Sequence, residues 1–80
     1  MRVFPNPTSD ILVVEAADEK ALDGYRYKLM DAAGKEVYNQ PVKSTITEIS
    51  LKSLGAAGTY FFEVFDEKQQ RLVTKKIILD

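Results

Sequence analysis

The 80-residue chain has no histidine, no cysteine and no tryptophan. Without His or Cys, the common nucleophile and base pairs and the usual zinc, iron or copper ligand sets have no members to draw on. The lack of Cys also leaves no disulfide to staple a small domain, so packing has to supply the stability. Neither sign of charge prevails: 11 Lys and Arg against 12 Asp and Glu give a net charge of -1. That balance argues against a nucleic-acid partner or an anionic membrane surface, both of which favour a strongly basic face. Long apolar runs are missing too. The longest, Ile11-Leu12-Val13-Val14 and Ile77-Ile78-Leu79, are strand-sized, well short of the roughly 18 residues that cross a bilayer as a helix, so stable membrane insertion is not expected. Met1-Arg2-Val3-Phe4-Pro5 lacks the apolar stretch of a signal peptide. If the protein is exported, its N-terminal signal is expected on a preceding part, with Met1 lying inside a longer chain.

What is present is ordinary globular material. With 45% hydrophobic and 29% charged residues, the chain has neither the low apolar content nor the high net charge of a disordered one. Eighty residues make one domain, 1-80, and a domain of that size buries only about 60 to 65% of the surface its unfolded form exposes. Apolar alternation runs through Leu12/Val14/Ala16, Tyr25/Tyr27/Leu29, Ile49/Leu51 and Tyr60/Phe62/Val64, the period of a half-buried strand. The pattern predicts an all-β chain with strands near residues 2-4, 11-16, 25-30, 35-39, 45-51, 59-65 and 71-79. About seven short strands at this spacing suit an immunoglobulin-like or fibronectin type III-like antiparallel β-sandwich. Only Ala17 to Leu22 suits a helical turn, and six residues are too few for a stable helix.

Turn chemistry agrees with that division. Asp31-Ala32-Ala33-Gly34 pairs an Asp that opens a type I turn with a Gly able to take positive φ, so residues 25-30 should pair with 35-39. A second hairpin is expected through the polar stretch Asp66 to Gln70, and Asp23-Gly24 leads into the third strand. The last strand is ambiguous. Leu72/Thr74/Lys76/Ile78 and Val73/Lys75/Ile77/Leu79 each set one lysine among apolar side chains. A bulge, or an edge position with one lysine stem lying along apolar surface, would accommodate either register.

Candidate reactive groups have local explanations. Ser9, Ser44, Ser50 and Ser53 fall in turns or at strand ends, where hydroxyls satisfy nearby backbone groups. Asp18, Glu19 and Asp23 lack the Gly-spaced acidic loop of a calcium site and read as a solvated loop. Tyr25, Tyr27, Tyr60 and Phe62 alternate inward as core. Phe61 and Phe65 share the other face of their strand with Glu63 between them, either as an apolar patch for a partner or beneath a neighbouring strand. Leu54, Gly58 and Tyr60 match a tyrosine corner, whose hydroxyl bonds back to the chain. Pro5-Asn6-Pro7 fixes φ at both prolines and biases the residue before each towards extended geometry, a rigid start to the domain.

Four fragments occur in one order: Pro5-Asn6-Pro7 followed by Leu12 and Val14; Tyr27-x-Leu29-x-Asp31-x-x-Gly34-Lys35; Leu54-x-x-x-Gly58-x-Tyr60-x-x-x-Val64; and Lys75-Lys76-Ile77-Ile78. As an ordered set over the whole chain, they resemble the C-terminal sorting domain (type A, Por secretion system family) of proteins exported by the type IX secretion system of Bacteroidetes-type bacteria. The resemblance implies a β-sandwich tail, without catalysis or cofactor, on a larger secreted cargo protein. It implies passage through the periplasm to the cell surface or medium, and as partners an outer-membrane translocon, a shuttle and a sortase-like peptidase that cuts N-terminal to the folded domain. By the same resemblance Pro5, Asn6, Pro7, Gly34, Lys35, Gly58, Tyr60, Lys75 and Lys76 are the recognition candidates, on a domain expected to be monomeric. Family members often end in Lys or Arg after the last apolar run. Here the chain ends Ile78-Leu79-Asp80, which leaves any basic determinant to Lys75 and Lys76. The rival readings are a fibronectin type III-like accessory or carbohydrate-binding module of a secreted hydrolase, against which the missing Trp counts, and a structural spacer or adhesin domain.

Overall fold

The computed structural model describes residues 1-18 and 23-80. Among them are seven strands, β1 Arg2–Phe4, β2 Ile11–Glu15, β3 Arg26–Asp31, β4 Glu36–Pro41, β5 Ile46–Ser50, β6 Gly58–Phe65 and β7 Arg71–Leu79, and no helix. The helical turn expected over Ala17 to Leu22 lies, from residue 19 onward, outside the described residues. The strands form two antiparallel sheets, three-stranded in the order β1-β2-β5 and four-stranded in the order β4-β3-β6-β7. This is the β-sandwich that the alternation predicts.

Period-two burial builds the core. Leu12, Val14 and Ile49 come from the three-stranded sheet, and Tyr27, Leu29, Tyr60, Phe62, Val64, Ile77 and Leu79 from the four-stranded one. Tyr27 and Phe62 meet with ring centroids 5.2 Å apart and planes tilted by 53°, a favourable offset contact. Each large apolar side chain buried in this way contributes about 1.5 to 3 kcal/mol. In a domain this small, losing one of them is serious.

Strand ends differ slightly from expectation, with a reason in each case. β4 runs on to Pro41, paired with Arg26, and the Val42 N–H continues the ladder by donating to the Tyr25 carbonyl at 2.9 Å. Proline is tolerated there because β4 is an edge strand. In β7, Val73, Ile77 and Leu79 face the core opposite Val64, Tyr60 and Gly58, so Lys75 also stands on the core-ward face and Lys76 on the outer one. Both devices that would accommodate a lysine are present. β7 is the outermost strand, and the register shifts between Val64 and Phe65, leaving Leu72 without a partner and 49% exposed.

Candidate functional site

Both hairpins of the four-stranded sheet close in the same way. At the β3-β4 turn the Asp31 Oδ1 accepts from the N–H groups of Ala33 (3.0 Å) and Lys35 (2.9 Å), and the Gly34 N–H donates to the Asp31 carbonyl at 3.0 Å. At the β6-β7 turn the Asp66 Oδ1 accepts from Lys68 and Gln70, both at 2.9 Å, and the Gln69 N–H donates to the Asp66 carbonyl at 3.0 Å. The fourth residue of each turn takes left-handed backbone, Gly34 at φ +86° and Gln69 at φ +66°. Glycine suits that position, whereas glutamine is strained there.

The corner before β6 is the expected tyrosine corner. The Tyr60 hydroxyl donates to the Ala56 carbonyl at 2.6 Å, and Gly58 opens the strand at φ +143°. A Cβ at Gly55 would sit 2.5 Å from the Tyr60 hydroxyl oxygen, so this position admits only glycine while the corner is closed. Gly55 is absent from the sequence-based candidates, although the run Gly55-Ala56-Ala57-Gly58 of small residues next to the tyrosine was a usable signal.

Pro5-Asn6-Pro7 does not start the domain as expected: Arg2–Phe4 before it already pairs with β2, so the segment links β1 to β2, and Asn6 anchors it. Its Nδ2 donates to the Lys76 carbonyl at 2.9 Å, and its Oδ1 accepts from the Ile78 N–H at 3.0 Å. The side-chain amide thus takes the place of a strand neighbour along the edge of β7. Thr8 continues the contact in parallel: its N–H donates to the Ile78 carbonyl and its carbonyl accepts from the Asp80 N–H, each at 2.9 Å. Thr8 is buried, its hydroxyl donating to the Ile11 carbonyl at 2.7 Å. Pro5, Asn6 and Pro7 remain exposed on their outer sides.

Register places these pieces side by side. Asp31 pairs with Tyr60, Tyr60 with Ile77 and Thr59 with Ile78, and Asn6 lies against Lys76 and Ile78. One part of each sequence fragment, namely Asn6, the Asp31–Lys35 turn, Gly58 to Tyr60 and Lys76 to Ile78, therefore falls in one row across one end of the four-stranded sheet, whereas Leu12 and Val14 belong to the three-stranded sheet and Tyr27 and Val64 pair towards the other end. An open hollow of about 310 Å³ between the β3-β4 turn and the corner is lined by Asp31, Ala33, Val37, Leu54, Ala56 and Tyr60. Its walls are mostly small or apolar, with Asp31 the one carboxylate among them. Lys35 is exposed beside this row. Lys75 and Lys76, both exposed, point to opposite faces of β7, so they do not form a single patch.

On the outer face of the same sheet, Phe61 and Phe65 are half-buried rather than bare or fully covered. The Lys28 amine sits 4.2 Å above the Phe65 ring, a cation-π contact. Glu63 between the two phenylalanines is only 3% exposed and pairs with Arg71 at 3.0 Å, a buried carboxylate that the residue pattern did not announce. Burial pushes the Tyr27 phenol above its ordinary pKa, with the Tyr38 hydroxyl adding to the effect, and burial raises Tyr38 as well.

The hydroxyls of Ser44 and Ser53 bond to the nearby Ile46 and Ser50 carbonyls, the local role expected of them, whereas the Ser50 hydroxyl departs from it and donates to the Asp10 carboxylate, 40 positions away in the chain. Of the acidic residues weighed for calcium, Asp18 and Asp23 are exposed and Glu19 lies outside the described residues. Among the described residues no group of three or more acidic side chains is arranged to hold a metal ion. Comparison with known proteins gives a match over residues 2–80 to the family described as "Secretion system C-terminal sorting domain". No curated protein and no solved structure matches. Residues 2–80 are essentially the whole chain, and the chain belongs to this family of non-catalytic C-terminal sorting signals, which direct proteins through the type IX secretion system to the cell surface or medium.

Proposed function

We propose that these 80 residues are the folded tail of a larger secreted protein, and that the row at the end of the four-stranded sheet is its address. In this reading the cargo carries whatever activity the whole protein has. The tail crosses the periplasm as a monomer and is read there by the shuttle and the outer-membrane translocon. A sortase-like peptidase then cuts on the N-terminal side of the domain. The observation that carries the reading is the convergence of Asn6, the Asp31–Lys35 turn, the Gly58–Tyr60 corner and the end of β7 in one row. Fragments scattered from residue 5 to residue 78 make a single surface only when the domain is folded, so the machinery would read shape rather than a linear tag.

Within that row the exposed cations are Lys35, at the turn, and Lys76, on the outer face beside Phe61. Lys75, on the other face, belongs to a different surface. The carbohydrate-binding alternative gains nothing from the fold: no aromatic ring is fully exposed, and among the described residues the exposed large apolar side chains are Met1, Ile11, Ile46 and Leu72. The test is to fuse residues 1-80 to a periplasm-directed fluorescent protein in a host with a working type IX system and in one whose translocon is deleted. Release or surface display only in the first host supports the proposal. Periplasmic retention in both overturns it.

A further inference from the structure

The outer edge of β7 is used unevenly. Its C-terminal half is filled from within the chain: Asn6 and Thr8 engage the Lys76 carbonyl, both backbone groups of Ile78 and the Asp80 N–H. By the alternation of an antiparallel strand, groups two residues apart point the same way. The Lys76 N–H and both backbone groups of Thr74 therefore face the same edge. Among the described residues no strand lies beside Arg71 to Lys75, because β7 is the last strand of its sheet. The edge is thus one that already accepts an added backbone, half occupied and half open.

Charge decides what can fill the open half. Lys75 and Lys76 stand one on each face of the strand at its centre, and both are exposed. Arg71, at the far end of the open half, is held by Glu63. A second copy of β7 laid antiparallel along this edge would bring lysine and arginine against lysine, which is how natural edges discourage self-pairing. We infer that the open half of the β7 edge receives an extended partner segment carrying two consecutive acidic residues. In a strand, consecutive side chains point to opposite faces, so one carboxylate would meet Lys75 and the next Lys76. Backbone hydrogen bonds to Thr74 and Lys76 would supply the pairing, and the acidic pair would supply the choice of partner. The inference rests on the sorting reading only for the source of the segment, a component of the export machinery.

The binding step can be tested without that machinery, so its failure is distinct from a failure of export. The probes are three synthetic peptides, Thr-Val-Glu-Glu-Val-Thr, the same peptide with two glutamines, and the same peptide with two lysines. They are titrated into the isotope-labelled chain while amide shifts and hydrogen exchange are followed. The expected result is that the acidic peptide alone shifts and protects the Thr74 and Lys76 N–H groups. Lys75→Ala and Lys76→Ala should each weaken it about two- to fivefold, and rising salt should weaken it further. Asn6→Ala should extend the protected stretch towards Ile78. Equal binding of the lysine peptide, changes confined to other residues, or no binding of the acidic peptide at millimolar concentration each overturn the inference. So does concentration-dependent dimerisation through β7, which would make a second copy the occupant.

Discussion

The Tyr60 hydroxyl donates to the Ala56 carbonyl at 2.6 Å, whereas the Tyr27 hydroxyl is buried and finds no hydrogen-bond partner among the described residues. The same truncation is therefore expected to act in opposite directions at the two sites. Tyr60→Phe should lose about 1 kcal/mol, the net worth of one hydrogen bond, and Tyr27→Phe should gain about 1 kcal/mol by removing an unpaired polar group. Urea unfolding midpoints of the two variants and the parent check both signs. The raised Tyr27 and Tyr38 phenols add a pH dependence. The folded state holds these protons more tightly than the unfolded chain, so their stabilising effect is whole below about pH 10 and is lost as the pH rises through the folded-state values. The midpoint should fall on the alkaline side, and fall less in Tyr27→Phe. At this scale the sequence was partly legible. The Leu54, Gly58 and Tyr60 spacing revealed the corner because its partners lie four residues apart. Glu63 was illegible, since its burial depends on Arg71 and on residues of β3 that only the folded sheet brings near.

Among the elements, the two hairpins form a natural comparison, with one Asp-led turn ending in Gly34 and the other in Gln69. A non-glycine residue in left-handed backbone costs about 1 kcal/mol or more. Gln69→Gly should therefore stabilise the domain by up to about 1 kcal/mol, and Gly34→Ala should destabilise it by a similar amount. Thermal denaturation of both variants measures the pair, and a Gln69→Gly protein less stable than the parent would contradict the strain argument. Such turns can be read from sequence because every partner sits within four positions. The clamp on β7 cannot, since Asn6 reaches groups 70 and 72 positions away. The register of β7 was ambiguous for a related reason: each alternating set holds one lysine, and only packing of Ile77 and Leu79 in the core decides between them. Asn6→Ala should cost about 1 to 2 kcal/mol for two lost hydrogen bonds. It should also speed exchange of the Ile78 N–H while leaving the Tyr27 amide protected. Uniform acceleration would mean global unfolding rather than loss of the clamp.

Across the whole molecule, the two sheets present different outer faces. The four-stranded sheet carries Lys28, Lys76 and the Glu63–Arg71 pair around Phe61 and Phe65, and its end gathers one part of each of the four fragments. The three-stranded sheet turns Ile11, Val13, Ile46 and Glu48 outward and holds none of the exposed recognition residues. A sorting domain read as a folded surface should be sensitive to changes on the first and indifferent to changes on the second. The most direct measurement compares export of a reporter fused to three domains with matched unfolding midpoints: the parent, a Lys35→Ala, Lys76→Ala variant, and an Ile46→Ser, Glu48→Ala variant. The account predicts a several-fold loss of export for the first variant and parental export for the second. Equal export of all three, or a loss confined to the Ile46 and Glu48 variant, would contradict the assignment of the address to the end of the four-stranded sheet.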